Sequence, residues 1–286
     1  MIIVKLKGGL GNQLFQYACA KHLAEQNNDV LKLDLGWYRG GVAVGDTART
    51  YGLDKFAISA QGASEDEIRS VGGRPSALKR LIKKVVGKLR PINSYLFDQS
   101  VLGQKENVHL EGFFQSERYF KEIESIIRNE FQLKGEMGDA ARVVLQDIEQ
   151  TNAVAIHVRR GDYVNNKNAN AFHGVCSQEY YHQAIELIAK RIDSPKYFVF
   201  SDDIEWVKDH IEIPNAVFVS QKDIADYEEL ILMSKCKHNI IANSSFSWWG
   251  AWLNAKPNKI VIAPKQWVSD ARVNTADAVP ESWIRI

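Results

Sequence analysis

Apolar residues along this chain recur with two periods that alternate from one segment to the next. Ile2 to Leu6 form an apolar-rich run that Gly8-Gly9-Leu10-Gly11 breaks, after which Leu14, Phe15, Ala18 and Leu23 recur at the spacing of one helix face. Val30 to Leu35 then alternate as a second strand. The same order returns later, with strands expected at 153–158, 197–201, 216–219, 239–242 and 259–263 and helical stretches between them. Strands that alternate with helices need crossover connections, so an α/β fold with mainly parallel sheets follows.

Between residues 40 and 110 the pattern loosens, with a Gly-rich loop at 40–45 and a turn at Gly72-Gly73-Arg74-Pro75. Arg74 to Arg90 carries Lys79, Arg80, Lys83, Lys84 and Lys88 without an acid, while Leu78, Leu81, Ile82, Val85, Val86 and Leu89 supply an apolar stripe. A helix of that kind suits a peripheral membrane contact through residues 74–90, or it packs on its own domain with the lysines solvated. A helical region from 116 to 150 places Ile123, Ile126, Ile127 and Phe131 on one face, and Gly135 and Gly138 break it. The domain boundary is expected near there, giving an N-terminal domain over 1–140 and a C-terminal one over 141–286.

Composition narrows the class of function. The chain has 286 residues, 45% hydrophobic and 25% charged, which suits an ordinary soluble protein of two modest domains. A formal charge of +1 leaves no global field to draw nucleic acid, so no nucleic-acid partner is expected. The first apolar run is too short for a signal peptide, and no stretch approaches the ~20 apolar residues of a membrane span. A cytoplasmic location is the expectation. Cys19, Cys176 and Cys236 never form Cys-x-x-Cys, and the seven histidines are scattered, so neither a disulfide framework nor a metal site is expected.

Three polar clusters sit where strands are expected to end. His157-Val158-Arg159-Arg160-Gly161-Asp162-Tyr163 follows the run Ala153 to Ile156. Two guanidiniums at a strand exit offer planar forks of donors to a polyanion, although an Arg-Asp pair in a surface turn would read alike. Gly8-Gly9-Leu10-Gly11-Asn12-Gln13 opens a helix; Gly9 and Gly11 let a ligand approach the backbone, or simply make a tight turn and cap. The pattern Gly-x-Gly-x-x-Gly is not satisfied, which disfavours a dehydrogenase. Asn243-Ser244-Ser245-Phe246 starts another helix, whose free N–H groups suit an anion, with Trp249 and Trp252 behind it assigned to packing.

Asp202, in Ser201-Asp202-Asp203, and Asp226, in Asp226-Tyr227-Glu228-Glu229, follow a strand and open a helix respectively. Each can hold a ribose or the N–H edge of a guanine, and each can equally be an N-cap. Arginines and a helix N-terminus at strand ends describe a diphosphate site, with acids for a nucleoside. No Gly-x-x-x-x-Gly-Lys-Ser/Thr is present, so a nucleotide-sugar transferase fits better than a P-loop nucleotidase.

The segment His157-Val-Arg-Arg-Gly-Asp162 resembles the His-x-Arg-Arg-x-Asp motif of the α1,2-, α1,6- and protein O-fucosyltransferases. Gly8-Gly-Leu-Gly-Asn-Gln-Leu-Phe-Gln-Tyr17 and Asn243-Ser-Ser-Phe-Ser-Trp-Trp-Gly250 resemble the α1,2-fucosyltransferases of glycosyltransferase family 11. The likeness runs from residue 2 to about 265 and is thin between 40 and 110. It implies a GT-B-like fold of two Rossmann-like domains facing a cleft, with an acceptor-side N-terminal domain and GDP-fucose held mainly by the C-terminal one. It implies inverting, metal-independent transfer to the 2-hydroxyl of a galactose, with no cofactor beyond the donor. The acceptor would be a β-galactoside-terminated glycan, such as a lipid-linked repeat unit of a bacterial surface polysaccharide.

The same resemblance distributes roles. Arg159 matches the arginine on the β-phosphate, with Ser244, Ser245 and the Phe246 amide assisting and Asn243 beside them. His157, Asp202 and Asp226 are candidates for the guanosine. Arg160 contacts the donor or braces the loop by pairing with Asp162, which is also the one candidate general base. Asn12 is similar to an asparagine of the protein O-fucosyltransferases near the scissile bond. A transferase using another GDP-sugar, such as GDP-mannose, and a non-catalytic nucleotide-binding module remain as alternatives.

Overall fold

The computed structural model describes residues 1–40, 48–73, 95–161, 174–270 and 273–286. Asp162 and the basic segment 74–90 lie outside these residues, as does most of the 40–45 loop. The chain divides into two compact units, Met1–Gln132 with Arg272–Ala278, and Leu133–Ala271 with Val279–Ile286.

The first unit is built on β1 (Ile2–Lys5), α1 (Leu10–Asn27), β2 (Leu31–Asp34), α2 (Gly36–Arg39), β3 (Gln61–Gly62), α3 (Glu65–Ser70), α4 (Gln99–Leu102), β4 (Val108–Leu110) and α5 (Glu124–Glu130). Its four strands are all parallel in the order β3-β2-β1-β4. Ile2, Ile3 and Val4 of the central β1 are fully buried, as an all-parallel sheet covered on both faces requires. Two short strands, β3 and β4, are absent from the sequence expectation, because two or three residues carry too little alternation to register. The helical region expected from 116 to 150 resolves into 3₁₀ turns at Glu117–Tyr119 and Lys121–Ile123, then α5, then a separate helix. Gly138 stands at the N-cap of that next helix, so the glycines do mark the break.

The second unit runs α6 (Asp139–Gln150), β5 (Asn152–Val158), α7 (Gln178–Ala189), β6 (Pro195–Ser201), α8 (Ile204–His210), β7 (Ala216–Phe218), α9 (Asp226–Lys235), β8 (His238–Ile240), α10 (Ser245–Leu253), β9 (Val261–Ala263) and β10 (Ile284–Arg285). All six strands are parallel in the order β10-β9-β8-β5-β6-β7. The period-2 alternation of the central strands sorts their side chains between two cores. Val154, Ile156, Tyr197 and Val199 pack with Tyr181, Ala184 and Ile188 of α7, while Ala153, Ala155, Phe198 and Phe200 pack with α6 and α9. Trp248, Trp249 and Trp252 are buried, Trp248 stacking on Trp252 and Trp249 meeting both edge-on, a core role as the sequence implied. Each unit is therefore Rossmann-like, and the expected α/β class with parallel sheets is found.

Candidate functional site

In the second sheet the chain proceeds outward from β5 to β7 on one side and from β8 to β10 on the other. The order reverses between β5 and β8, and ligands of open α/β sheets bind at the carboxyl ends of the strands at such a reversal. His157-Val158-Arg159 leaves β5 there, and Asn243-Ser244-Ser245 enters α10 from β8. The rings of His157 and Phe246 lie 5.7 Å apart, so two motifs distant in sequence meet where the topology leads ligands. Two adjacent tyrosines of α7 tie these strand ends. Tyr181 donates to the His157 carbonyl at 3.2 Å, and Tyr180 to those of Ile241 and Ile262 at 2.6 and 3.2 Å.

The register of β5 on β6 sets Val158 opposite Ser201, so Arg159 and Asp202 leave their strands side by side. The Arg159 guanidinium meets the Asp202 carboxylate at 3.0 Å, and the backbone N–H of Arg160 donates to the same carboxylate at 2.8 Å. A Cβ on Gly161 would stand 2.7 Å from Asp202 Oδ2, so glycine is what lets the turn close over this carboxylate. Arg160 turns the other way. Its Nε lies 3.5 Å from Asp203, and its guanidinium lies 3.9 Å from the centre of the Trp206 ring. The brace for Arg160 is thus Asp203 and Trp206 of α8, whereas the Asp162 partner expected from sequence is outside the described residues.

His157 is 3% exposed, and its Nδ1 has no hydrogen-bond partner among the described residues. Burial, helped by the neighbouring Arg159, pushes its pKa down to about 3. It is a neutral imidazole at physiological pH, able to donate from one nitrogen and accept at the other.

The sequence left Asp202 and Asp226 as ligand groups or caps, and capping falls to their neighbours. Asp203 caps α8 by accepting from the Trp206 N–H at 3.4 Å. Glu228 closes α9 by accepting from the Ala225 N–H at 2.9 Å and from Gly138 at 2.6 Å. Asp226 stays exposed at the first turn of α9. Beside it Glu229, which sequence reasoning passed over, is half-buried with its pKa raised to about 7 by burial and by the charges of Asp226 and Asp202. Its signal was the run Asp226-Tyr-Glu-Glu229, but only the folded surroundings raise the pKa of this carboxyl.

At the start of α10, Ser244 is the N-cap and its hydroxyl accepts the Phe246 N–H at 3.3 Å. That amide, expected to face a ligand, already has a partner; Ser245 is half-exposed at the first position of the helix. Asn243 is 5% exposed and braces the loops. Its amide donates to the carbonyls of Gly174 and Trp267, and its oxygen accepts from the Cys176 thiol at 3.5 Å.

Gly9, Gly11 and Asn12 belong to the first unit, at the carboxyl end of β1, where that sheet too reverses its strand order between β1 and β4. Gly8 has φ +82, a left-handed conformation that favours glycine. Its carbonyl accepts from Tyr38 at 2.9 Å and from the Gln13 side chain at 3.1 Å. Gly9 is the N-cap of α1 without a side-chain cap, and Gly11 is buried in the first turn. The side chain of Arg49, another residue that sequence reasoning missed, comes within 3.8 Å of where a Cβ on Gly9 would stand. Asn12 accepts a hydrogen bond from Gln115 at 2.7 Å.

Among the described residues no group of three or more His, Cys, Asp or Glu side chains is placed to hold a metal ion. No helix there is long and apolar enough to cross a membrane. A groove of about 530 Å³ opens at the opposite, amino-terminal edge of the second sheet, between Thr151, Pro195 and Asn215, and holds none of the motif residues.

The family model described as glycosyl transferase family 11 matches residues 84–286. The chain is 37% identical to an alpha-1,2-colitosyltransferase of Escherichia coli, with 100% of this chain and 99% of that protein covered. It is 31% identical to the O-antigen biosynthesis glycosyltransferase WbnK of Escherichia coli, over 98% and 99% of the two chains. Among solved structures it is similar to NodZ alpha-1,6-fucosyltransferase soaked with GDP-fucose, with a TM-score of 0.56 at 14% identity, covering 91% of this chain and 94% of that one. That likeness concerns the fold, and it is the basis for the GT-B-like class.

Proposed function

The chain belongs to glycosyltransferase family 11, and from that membership we propose that it transfers L-fucose from GDP-β-L-fucose to the 2-hydroxyl of a galactose in a glycan. The observation that carries this reading is that the exit of β5, which bears His157 and Arg159, and the start of α10 lie together at the strand-order reversal of the second sheet, where the His157 and Phe246 rings are 5.7 Å apart. An always-charged fork near a helix N-terminus is what a diphosphate requires. In this reading the second unit holds the donor and the first receives the acceptor.

The transfer is a direct displacement with inversion. As the acceptor oxygen approaches the anomeric carbon, the bond to GDP breaks and negative charge grows on the β-phosphate. Arg159 meets that charge, its guanidinium held 3.0 Å from the Asp202 carboxylate. Positive charge supplied this way stands in for a divalent metal, so the reaction is proposed to need none. Ser245 and the first turn of α10 assist. His157, Asp226 and Glu229 take the guanosine, and Asp202 aligns Arg159. Asn12 acts on the reacting groups as an amide donor, and Asp162 is kept as the candidate base.

The 37% identity to a colitosyltransferase favours a second reading in which the donor is GDP-colitose. Colitose is fucose without its 3-hydroxyl. A pocket that hydrogen-bonds that hydroxyl rejects the deoxy sugar by roughly 10⁴-fold, whereas a pocket shaped for the deoxy sugar rejects the hydroxyl by only about 10²-fold. The acceptor is proposed to be a β-galactoside-terminated repeat unit of a surface polysaccharide, which the O-antigen role in the name of the WbnK relative supports. A cytoplasmic location beside the inner membrane face goes with a lipid-linked acceptor.

The test is GDP release from each donor in the presence of lactose, with EDTA added. Faster release from GDP-fucose, dependent on lactose and undiminished by EDTA, is the expected outcome. Release from GDP-colitose alone would move the donor assignment, and no binding of GDP by calorimetry would remove the transferase reading.

A further inference from the structure

We propose that Gln115 is a positioning residue, which holds the Asn12 amide so that its N–H₂ end is the one offered to the reacting groups. The proposal rests on the role given to Asn12 above. The Gln115 side chain donates to Asn12 Oδ1 at 2.7 Å, and it is the partner of that amide among the described residues. An unrestrained asparagine turns its amide over readily and presents either an acceptor or two donors. Only the donor end can meet developing negative charge. By occupying the oxygen, Gln115 selects that end.

The surroundings are built to deliver Gln115. Parallel pairing of β1 with β4 brings the segments after these strands together, although Asn12 and Gln115 are 103 residues apart. The turn between Leu110 and Gln115 carries Phe114 at φ 51, a left-handed conformation that a non-glycine residue adopts only under strain. It is held there by the Ser116 N–H bond to the Phe114 carbonyl at 2.8 Å and by edge packing of the Phe114 ring on Tyr119. A Cβ on Gly112 would stand 2.7 Å from the Phe114 ring, so this glycine makes room for the turn. Strain of this sort persists where the structure over-determines it, and here its product is the placement of a buried amide, 8% exposed.

The neighbouring amides of the same motif are committed elsewhere. Gln13 bonds Gly8, Thr50 and Gly52, and Gln16 bonds both the N–H and the carbonyl of Lys7. They hold the loop, and Asn12 is the motif amide with a tunable face.

The experiment compares Asn12→Ala, Gln115→Ala, the double variant and Gln115→Glu, measuring kcat for lactose-dependent GDP release from GDP-fucose and from GDP-colitose, with thermal melting of each. Each alanine variant is expected to lower kcat by on the order of 10- to 100-fold. The double variant should lose no more than the worse single one, because Gln115 acts through Asn12. Gln115→Glu keeps the length but only accepts, which turns the Asn12 amide over, so it should be at least as impaired as Gln115→Ala without a lower melting temperature. Losses that multiply in the double variant, or wild-type kcat in Gln115→Glu, would overturn the proposal while leaving the role of Asn12. Wild-type kcat in Asn12→Ala would overturn both.

Discussion

Asp202 binds Arg159 at 3.0 Å across the ends of two neighbouring strands, and the same carboxylate accepts the backbone N–H of Arg160. One acid therefore aims a guanidinium and closes the turn beneath it. Arg159→Ala should leave folding intact and lower kcat by roughly 10²–10³-fold, as loss of a donor to a developing oxyanion does. Asp202→Ala removes the aim but not the charge, so its loss should be smaller than that of Arg159→Ala. Steady-state kinetics of the two variants check this, and equal turnover by Arg159→Ala and wild type would refute the role.

Arg160 and Arg159 differ in what they touch. Arg160 lies over Trp206 and beside Asp203, in contact with α8. Arg160→Lys keeps the charge and loses the planar stack, which is worth on the order of 0.5–1 kcal/mol at a partly exposed site. The expected result is a slightly lower melting temperature with kcat reduced less than in Arg159→Lys. A larger kinetic loss in Arg160→Lys would reverse the division of labour.

Gly161 permits the approach of Asp202, since a Cβ would meet its Oδ2 at 2.7 Å. Gly161→Ala should displace that carboxylate and lower kcat by about the same factor as Asp202→Ala. The double variant Gly161→Ala, Asp202→Ala should be no worse than Asp202→Ala, because the clash partner is gone. Kinetics of the three proteins decide it.

Glu229 gives a pH signature of its own. Its folded pKa, raised to about 7 mainly by burial, exceeds the ordinary value of 4.5, so the folded state holds this proton more tightly than the unfolded one. The stability this contributes is complete below about 4.5 and is lost as pH rises through about 7. Glu229→Gln is neutral throughout. Its melting temperature relative to wild type should therefore improve between pH 5 and pH 8. His157 acts in the opposite sense. With a folded pKa pushed down to about 3, it stays neutral where the unfolded ring takes up a proton, so its contribution weakens as pH falls from about 6.5 toward 3. Melting of Glu229→Gln and wild type at matched pH isolates the first effect, because His157 is common to both.

Much of the molecule was legible in the chain. The five strands expected from 153 to 263 all exist, with edges moved by one or two residues, because each is a short apolar run bounded by turns or helices. The glycines at 8–11, the opening of α9 at Asp226 and the start of α10 after Ser244 were legible as well, since turn and cap chemistry is local. β4, with its three residues, left no such trace, and without it the approach of Gln115 to Asn12 could not be foreseen.

The sequence by itself determined which residues carry charge, where strands stop and which family motifs are present, because periodicity, glycine and arginine act within a few residues of themselves. Only the tertiary structure decided which neighbours they have. That β5 lies between β6 and β8 is a property of strand order, and it alone sets Arg159 against Asp202 and His157 against Phe246. That the Glu229 carboxyl has its pKa raised, by burial and by the charges of Asp226 and Asp202, follows from the packing of segments that no local pattern brings together. Hydrogen bonds and desolvation depend on distances of a few ångströms between segments far apart in the chain, and those distances exist only once the sheets have formed.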